Sequence, residues 1–164
     1  MKAYRSTLLL DATDMRILEA LQKDCAVSMV DLGEIVGLSS TPLWRRLKKL
    51  ENDGYIRGRV AILDPEKLGL EINIFASIRL NQHDEETLEA FERAALEEAE
   101  IMECYSMSGE SDFLLRVVVE SIAYYEKYLK RVLLHLPGVA AVNSHFTLKR
   151  VKQTTQLPLR QDAV

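Results

Sequence analysis

Apolar residues in the first third of the chain recur every three or four positions in three short segments, which is the spacing of amphipathic helices. Asp11 and Ser28 are suited to cap the first two helices at their N-termini. Gly37 ends the second helix, and Thr41-Pro42 opens a third that stops at Gly54. The predicted inward-facing positions are Met15, Ile17, Leu18, Leu21, Leu32, Ile35, Val36, Leu43, Leu47 and Leu50. The pattern therefore predicts a three-helix unit.

The second half of the chain alternates predicted strands with helices. The strands are predicted over 72–80, 101–108, 113–120 and 139–153, and the helices over 84–99 and from Ser121 to Pro137-Gly138. The buried stripe of the last helix is predicted as Ile122, Tyr125, Leu129, Val132 and Leu136. The order β-α-β-β-α-β is that of a ferredoxin-like domain. The predicted fold class is α+β, with an N-terminal winged helix-turn-helix and a C-terminal ferredoxin-like βαββαβ domain.

The segment between the two halves is predicted to be a wing and a hinge. Residues 55–64 alternate in places and contain Arg57-Gly58-Arg59, which is typical of a β-ribbon, and residues 65–69 are predicted as one turn of helix. The predicted domains are a helix-turn-helix domain over 1–60, a linker or hinge over 61–70, a ferredoxin-like domain over 71–155 and a loose tail over 156–164.

Polar side chains on the third helix lie opposite its apolar face. They are Thr41, Arg45, Lys48, Lys49 and Asn52. Such side chains reach phosphate oxygens or base edges in a major groove, although a merely solvated helix also carries a basic outer face. The tight turn, the preceding helices and the basic wing favour the helix-turn-helix interpretation. The predicted DNA-binding residues are Ser39, Ser40, Thr41, Pro42, Trp44, Arg45, Arg46, Lys48, Lys49, Asn52, Arg57 and Arg59.

The composition is compatible with this interpretation although the net charge is −4. Residues 1–60 carry a net charge of +2, because ten Lys and Arg stand against eight Asp and Glu, and the remainder is acidic. The apolar fraction of 48% and charged fraction of 28% are typical of a globular protein, and no apolar run predicts a signal peptide or membrane span. Cys25 and Cys104 are too isolated to suggest a disulfide framework. We therefore expect a cytoplasmic protein with reduced thiols.

Candidate catalytic and metal-binding groups are few. His83, His135 and His145 have no cysteine or second histidine at the spacing of metal ligands. The chain has no nucleophile elbow, phosphate loop or dinucleotide fingerprint. Cys104 is expected to be a small buried side chain on a strand. These features predict no enzyme activity, no metal site and no cofactor.

Several motifs resemble the Lrp/AsnC family of transcriptional regulators. They are Gly37-Leu38-Ser39-Ser40-Thr41-Pro42-Leu43-Trp44-Arg45-Arg46-Leu47-Lys48-Lys49-Leu50-Glu51, Gly54-Tyr55-Ile56, Ala61-Ile62-Leu63-Asp64-Pro65 with Leu68-Gly69, Ser108-Gly109-Glu110-Ser111-Asp112-Phe113 and Leu136-Pro137-Gly138-Val139. The runs Thr41-Pro42, Trp44-Arg45-Arg46-Leu47 and Asp64-Pro65-Glu66-Lys67 look closest to the cysteine-responsive DecR-like branch. The resemblance spans nearly the whole chain.

The resemblance implies dimers built by packing of the second domains, which assemble into tetramers, octamers or larger rings and respond to small molecules, usually amino acids. Both faces of the strand over 113–120 contain apolar side chains, so the uncovered sheet face is expected to meet a partner. Gly33 departs from the family, which usually has alanine there. A glycine inside a helix costs about 1 kcal/mol, so the second helix is expected to be soft.

The turn over 108–112 is the candidate effector site, although its pattern also suits a simple hairpin. An α-amino acid needs an acceptor for its ammonium group and N–H donors for its carboxylate, which Asp112 and the backbone of residues 109–111 can provide. Met107 can form an adaptable apolar wall. The resemblance implies the same site, at a Gly-x-x-Asp turn between neighbouring dimers. The predicted effector-binding residues are Met107, Gly109, Glu110, Ser111 and Asp112.

These observations predict a sequence-specific DNA-binding transcriptional regulator controlled by a small effector such as an amino acid. Its expected partners are double-stranded DNA, that effector and further copies of the chain, with no membrane. Two alternatives remain open, an architectural DNA-binding protein with no effector response and a small ferredoxin-like enzyme with an added DNA-binding domain. The sequence leaves open the effector, the target genes and the choice between activation and repression.

Overall fold

The fold of residues 10–159 is described by a computed structural model. Chain contacts divide these residues into a helical unit, residues 10–62 with 152–159, and a sheet unit, residues 63–151. The first part of the predicted tail therefore lies in the helical unit. There the Leu157 N–H donates to the Gln22 side-chain oxygen at 2.6 Å, and Leu159 packs against the helical core. The rest of the tail and residues 1–9 lie outside the described residues.

The helical unit contains α1 (Ala12–Lys23), α2 (Met29–Val36) and α3 (Ser40–Asn52), close to the predicted bounds. Asp11 caps α1 by accepting hydrogen bonds from two N–H groups, and Asp14 completes a capping box. The buried apolar residues are Leu10, Met15, Ile17, Leu32, Val36, Leu43, Leu47 and Leu50. The prediction that Ile35 points inward is wrong, because its side chain is 58% exposed. A helix of eight residues has one narrow buried face, which Leu32 and Val36 fill.

Gly33 lies where α2 meets the turn that leads to α3. A Cβ atom at this position would stand 2.6 Å from the Leu38 carbonyl oxygen, which is backbone and cannot swing away. The Leu38 N–H donates to the Gly33 carbonyl at 2.9 Å across the same contact. In this packing the glycine permits the close approach of the backbone that forms the turn.

The expected β-ribbon is not formed within the described chain. Residues 57–64 adopt neither helix nor strand, because no described segment pairs with their backbone groups. The predicted helical turn that follows is confirmed, as a 3-10 turn over Glu66–Leu68. Among residues 10–159, no helix has the length and apolar character needed to cross a membrane.

The sheet unit has the predicted ferredoxin-like order. Its elements are β1 (Ile72–Leu80), α4 (Glu85–Glu97), β2 (Ile101–Ser106), β3 (Phe113–Val119), α5 (Ile122–Arg131) and β4 (Val139–Phe146). The four strands form an antiparallel sheet in the order β2-β3-β1-β4. In this register Ile74 of β1 stands opposite Val117 of β3 and Phe146 of β4. This face carries the buried core, and the other face remains partly exposed.

Three details of the sheet unit differ from the predictions. Ile122 is 62% exposed, whereas Tyr125 and Tyr128 form the buried face of α5. Leu133 is buried because the chain leaves the α-helix at Val132 and continues as a 3-10 turn. β4 ends at Phe146, seven residues before the predicted bound of 153. Cys104 is exposed rather than buried, because β2 is an edge strand with exposed residues over most of its length.

Candidate functional site

The outer surface of α3 is the first candidate site, and we call it the recognition face. Its exposed side chains are Thr41, Trp44, Arg45, Lys48, Lys49 and Asn52. Leu43, Leu47 and Leu50 fix this orientation because all three are buried in the helical unit. Ser39 and Ser40 are exposed at the start of α3 and Pro42 is half-buried. The helix therefore presents a polar surface to solvent along its full length.

The side chains of Arg45, Lys49 and Asn52 carry no hydrogen bond or ion pair within the part of the chain that the structure describes. One guanidinium group and one ammonium group, both without an ion-pair partner, therefore stand beside the Asn52 amide, which can both donate and accept hydrogen bonds. Such groups match phosphate oxygens and base edges, the two kinds of acceptor that a major groove offers. This part of the recognition face is open to a polyanion without breaking any internal contact.

Arg46 has a different role from its neighbours on α3. Its Nη1 lies 2.6 Å from Asp11 Oδ2 and 2.8 Å from Asp14 Oδ1. The Asp14 side chain is only 8% exposed and that of Arg46 is 33% exposed. Hydrogen bonds to Asp14 and then Asp11 raise the pKa of Arg46. The predicted DNA contact of Arg46 stays a prediction, and we leave Arg46 out of the proposal below because its Nη1 fastens α3 to the start of α1.

Glu51 connects the C-terminal part of α3 to the segment predicted as a wing. Its carboxylate lies 2.8 Å from Lys48 Nζ and 3.1 Å from an Arg59 guanidinium nitrogen. The hydrogen bond from Lys48 lowers the pKa of Glu51. Exposed ion pairs of this kind contribute little to stability and exchange readily. Lys48 and Arg59 therefore stay in the DNA-binding set, together with the exposed Arg57.

The second candidate site is the turn over residues 108–112, which we call the effector turn. Gly109 has φ of 121°, a conformation that favours glycine. The turn is closed by hydrogen bonds from the Met107 N–H to the Asp112 carbonyl at 2.8 Å and from the Asp112 N–H to the Ile78 carbonyl at 2.9 Å. Within residues 10–159, the N–H groups of residues 109–111 have no hydrogen-bond acceptor. Three donors thus remain open at this turn.

The other predicted effector residues surround these donors. Met107 is 44% exposed, Glu110 is exposed and Ser111 is half-buried. The Asp112 carboxylate is already occupied, since Oδ2 accepts the Leu80 N–H at 2.7 Å and Oδ1 lies 2.9 Å from His83 Nε2. Asp112 therefore has two partners within its own unit, and its role as the acceptor for an ammonium group stays a prediction. Sequence reasoning missed His83, because its loop meets the turn only through the pairing of β1 with β3.

Comparison with known proteins finds one family model in each half of the chain. A family model described as winged helix-turn-helix DNA-binding matches residues 10–57, and one described as Lrp/AsnC ligand binding domain matches residues 73–157. The DNA-binding transcriptional activator DecR of Escherichia coli (strain K12) is 40% identical over 151 residues, covering 92% of this chain and 99% of that protein.

Two solved structures are similar over nearly their whole length. An AsnC family transcriptional regulator from Agrobacterium tumefaciens has 44% identity and a TM-score of 0.86, covering 91% of this chain and 97% of that one. A transcriptional regulator from Neisseria meningitidis in complex with L-Met has 34% identity and a TM-score of 0.87, covering 91% and 96%. From these matches and from the arrangement of its helices and sheet, the chain belongs to the Lrp/AsnC family of DNA-binding transcriptional regulators.

Proposed function

We propose that this regulator reads duplex DNA with the recognition face of α3 and responds to an amino acid bound at the effector turn. The observation that carries the DNA-binding part is the set of unpaired polar side chains on a helix whose other face is buried. Residues of the preceding turn and of the segment over 57–59 add phosphate contacts beside the groove. The DNA-binding residues in this proposal are Ser39, Ser40, Thr41, Pro42, Trp44, Arg45, Lys48, Lys49, Asn52, Arg57 and Arg59.

The effector part rests on the chemistry of the turn. Three open N–H groups at residues 109–111 suit a carboxylate, and Asp112 supplies a negative charge beside them. The half-exposed Met107 side chain offers an apolar contact. The structurally similar Neisseria regulator was solved with L-Met, which supports an amino acid as the class of effector. L-methionine is therefore the first compound to examine. L-cysteine is the second, because the sequence resembles the cysteine-responsive DecR-like branch.

The remaining features of the proposal concern assembly and location. The uncovered face of the sheet carries Phe75, Leu114 and Val118, all half-buried in the single chain, and a second copy packed there would cover them. We propose a homodimer formed through this face, with further assembly into tetramers or octamers. We propose that the regulator acts in the cytoplasm and catalyses no reaction.

The DNA-binding part is tested with Arg45→Ala and Lys49→Ala. We expect each substitution to weaken binding to a duplex selected from a random pool by the wild-type protein, because each removes an unpaired cation from the recognition face. A lost base contact costs about 1–3 kcal/mol, which is roughly 5- to 150-fold in Kd, and a lost phosphate contact lowers the salt dependence by about one unit. Gel-shift titration at several salt concentrations measures both effects.

Lys23→Ala is the matched control, since Lys23 is an exposed lysine of the same unit that lies on α1. Its affinity for the selected duplex is expected to stay close to that of the wild type. If both α3 variants bound the duplex with wild-type affinity, the proposal that α3 lies in the major groove would be wrong. Repeating the titration with each of the common amino acids distinguishes a ligand-responsive regulator from an architectural protein, for which no amino acid changes binding.

A further inference from the structure

The loop that joins β1 to α4 places His83 directly against the effector turn. His83 Nε2 lies 2.9 Å from Asp112 Oδ1, and the second carboxylate oxygen accepts the Leu80 N–H at 2.7 Å. The Asp112 side chain is 22% exposed with the imidazole in place, while the His83 side chain is 67% exposed. The ring therefore stands on the solvent side of a carboxylate that is otherwise held by backbone.

The two partners of Asp112 differ in how easily they can be replaced. The Leu80 N–H belongs to the last residue of β1, so its position is fixed by the sheet. His83 lies outside any helix or strand, and its ring can leave Oδ1 by rotation of its side chain. An approaching cation would thus displace the imidazole and keep the bond to the strand. Oδ1 is the exchangeable position of this carboxylate.

The position of Oδ1 also matches the needs of an amino acid. The open N–H groups of residues 109–111 can bind an α-carboxylate, and the next residue, Asp112, supplies a carboxylate that the Leu80 N–H holds in place, whereas the Glu110 side chain is exposed. An α-ammonium group would then require Oδ1, which His83 holds. A primary ammonium forms a charge-assisted hydrogen bond with a carboxylate, which is among the stronger kinds of hydrogen bond in proteins.

We propose that His83 occupies the ammonium position of the effector site in the free protein and sets the effector concentration at which the regulator responds. This inference rests on the proposed effector function of the turn. The ligands that displace His83 carry a primary ammonium group beside a carboxylate. N-acetylated amino acids lack the ammonium group, so they leave the pair between His83 and Asp112 in place.

The size of the effect follows from the strength of the contact that must be broken. A protein whose binding-competent state is only partly populated binds with its affinity reduced by that fraction. A single hydrogen bond of this kind has a net strength that corresponds to roughly a two- to tenfold shift in an equilibrium. Removal of the imidazole is therefore expected to lower the half-saturating concentration of the effector by about two- to tenfold.

The experiment compares His83→Ala with His83→Gln in the full-length protein. The twenty common amino acids, with L-methionine and L-cysteine first, are screened by thermal shift on the wild type, and the compounds that stabilise it are titrated by calorimetry. We expect His83→Ala to bind them more tightly than the wild type. His83→Gln retains an N–H donor that can reach Asp112, so its affinity is expected to lie between the two. None of the three proteins, the wild type and the two His83 variants, is expected to bind N-acetyl-L-methionine.

His135→Ala is the control for the loss of an exposed histidine, since His135 lies far along the chain, in the 3-10 turn after α5. Its affinity for the amino acids is expected to equal that of the wild type. Asp112→Asn keeps an acceptor for the Leu80 N–H but loses the charge, so binding is expected to disappear while the thermal transition without ligand stays cooperative. Equal or weaker binding by His83→Ala, with the wild type still responding, would overturn the role of His83. A wild type that binds DNA but none of the amino acids would instead overturn the effector part of the proposed function, and with it this inference.

Discussion

The helical unit and the sheet unit differ in how much apolar surface they bury and in how they place charge. Among residues 10–159, eight buried apolar side chains form the core of the helical unit and fourteen form that of the sheet unit. Within the same described residues, the buried charged side chain is Asp14, in the helical unit. In the sheet unit the pair of Arg116 and Glu103, 2.8 Å apart, lies on the partly exposed face.

This difference shows what a small DNA-binding unit requires. A small unit buries a lower fraction of its surface, so each core contact is a larger share of its stability. The outward face of α3 adds polar side chains to the surface and none to the core. The ion pairs of Arg46 add a polar link between α3 and the start of α1. We expect the helical unit to be the less stable of the two.

The largest effect is expected from Leu43→Ala, because Leu43 is fully buried between the three helices. Such a substitution costs about 2–5 kcal/mol, which is a large share of the stability of a small unit. Leu115→Ala, equally buried in the sheet unit, is the matched comparison. We expect Leu43→Ala to unfold the helical unit while the sheet unit remains folded.

Trp44 is the only tryptophan in the sequence and lies on α3, so its fluorescence reports on the helical unit. Urea unfolding followed by tryptophan fluorescence and by far-ultraviolet circular dichroism measures both units. In Leu43→Ala the fluorescence transition is expected to move to lower urea and to separate from the circular dichroism transition. Coincident transitions in both variants would contradict the difference in stability between the units.

A smaller effect is expected from Arg46→Ala. Loss of Arg46 leaves the carboxylate of Asp14, which is 8% exposed, without its cationic partner. Breaking a fully buried ion pair costs about 3–5 kcal/mol, and we expect about 2 kcal/mol here because Arg46 is one-third exposed. The urea midpoint of the tryptophan signal should fall accordingly.

Arg45→Ala is the matched control for that substitution, since Arg45 is the adjacent arginine and is exposed. It is expected to weaken DNA binding with no change in the urea midpoint. Arg46→Ala is expected to lower the urea midpoint, and to weaken DNA binding only because less of the protein is folded. An unchanged midpoint in Arg46→Ala would show that the ion pair does not hold α3 to α1.

The smallest effect is expected from extremes of pH, where acid weakens both units and alkali weakens mainly the sheet unit. The backbone hydrogen bond from Asp14, together with those from Arg46 and Thr13, holds the pKa of Asp11 below its ordinary value of 3.8 despite some desolvation. Its contribution to stability is therefore present above about pH 4 and is lost as the pH falls through the folded-state pKa. Acid is expected to weaken the helical unit at the start of α1, and also the sheet unit, where the pKa values of Asp84, Glu103 and Glu126 are lowered.

In the sheet unit, burial raises the pKa values of Tyr125 and Tyr128 above the ordinary value of 10.0. Their contribution is complete below that value and is lost as the pH rises through the folded-state pKa values, so alkali is expected to weaken the sheet unit. Thermal unfolding at about pH 3.5, 7 and 11, followed by tryptophan fluorescence and circular dichroism, checks both directions. Equal sensitivity of the two signals at pH 11 would contradict the assignment.

Most of the recognition face could be predicted from the sequence, because a helical period of 3.6 residues places Arg45 opposite Leu43 and Leu47 wherever the helix packs. Arg46 was the exception. It lies beside the apolar stripe, and its acceptors Asp11 and Asp14 are 35 and 32 positions away in the chain. The local pattern shows that Arg46 is basic and contains no information about which carboxylates it meets.

The sequence by itself determined the order of the five helices and four strands, the caps at Asp11, Ser28 and Ser121, the outward face of α3 and the glycine-containing turn at 108–112, because each depends on residues within a few positions of one another. The tertiary structure alone decided that Arg46 is paired within the helical unit and that His83 covers Asp112 from 29 positions away. Hydrogen bonds and ion pairs between distant segments form only where packing brings their elements together, and no local periodicity records that meeting.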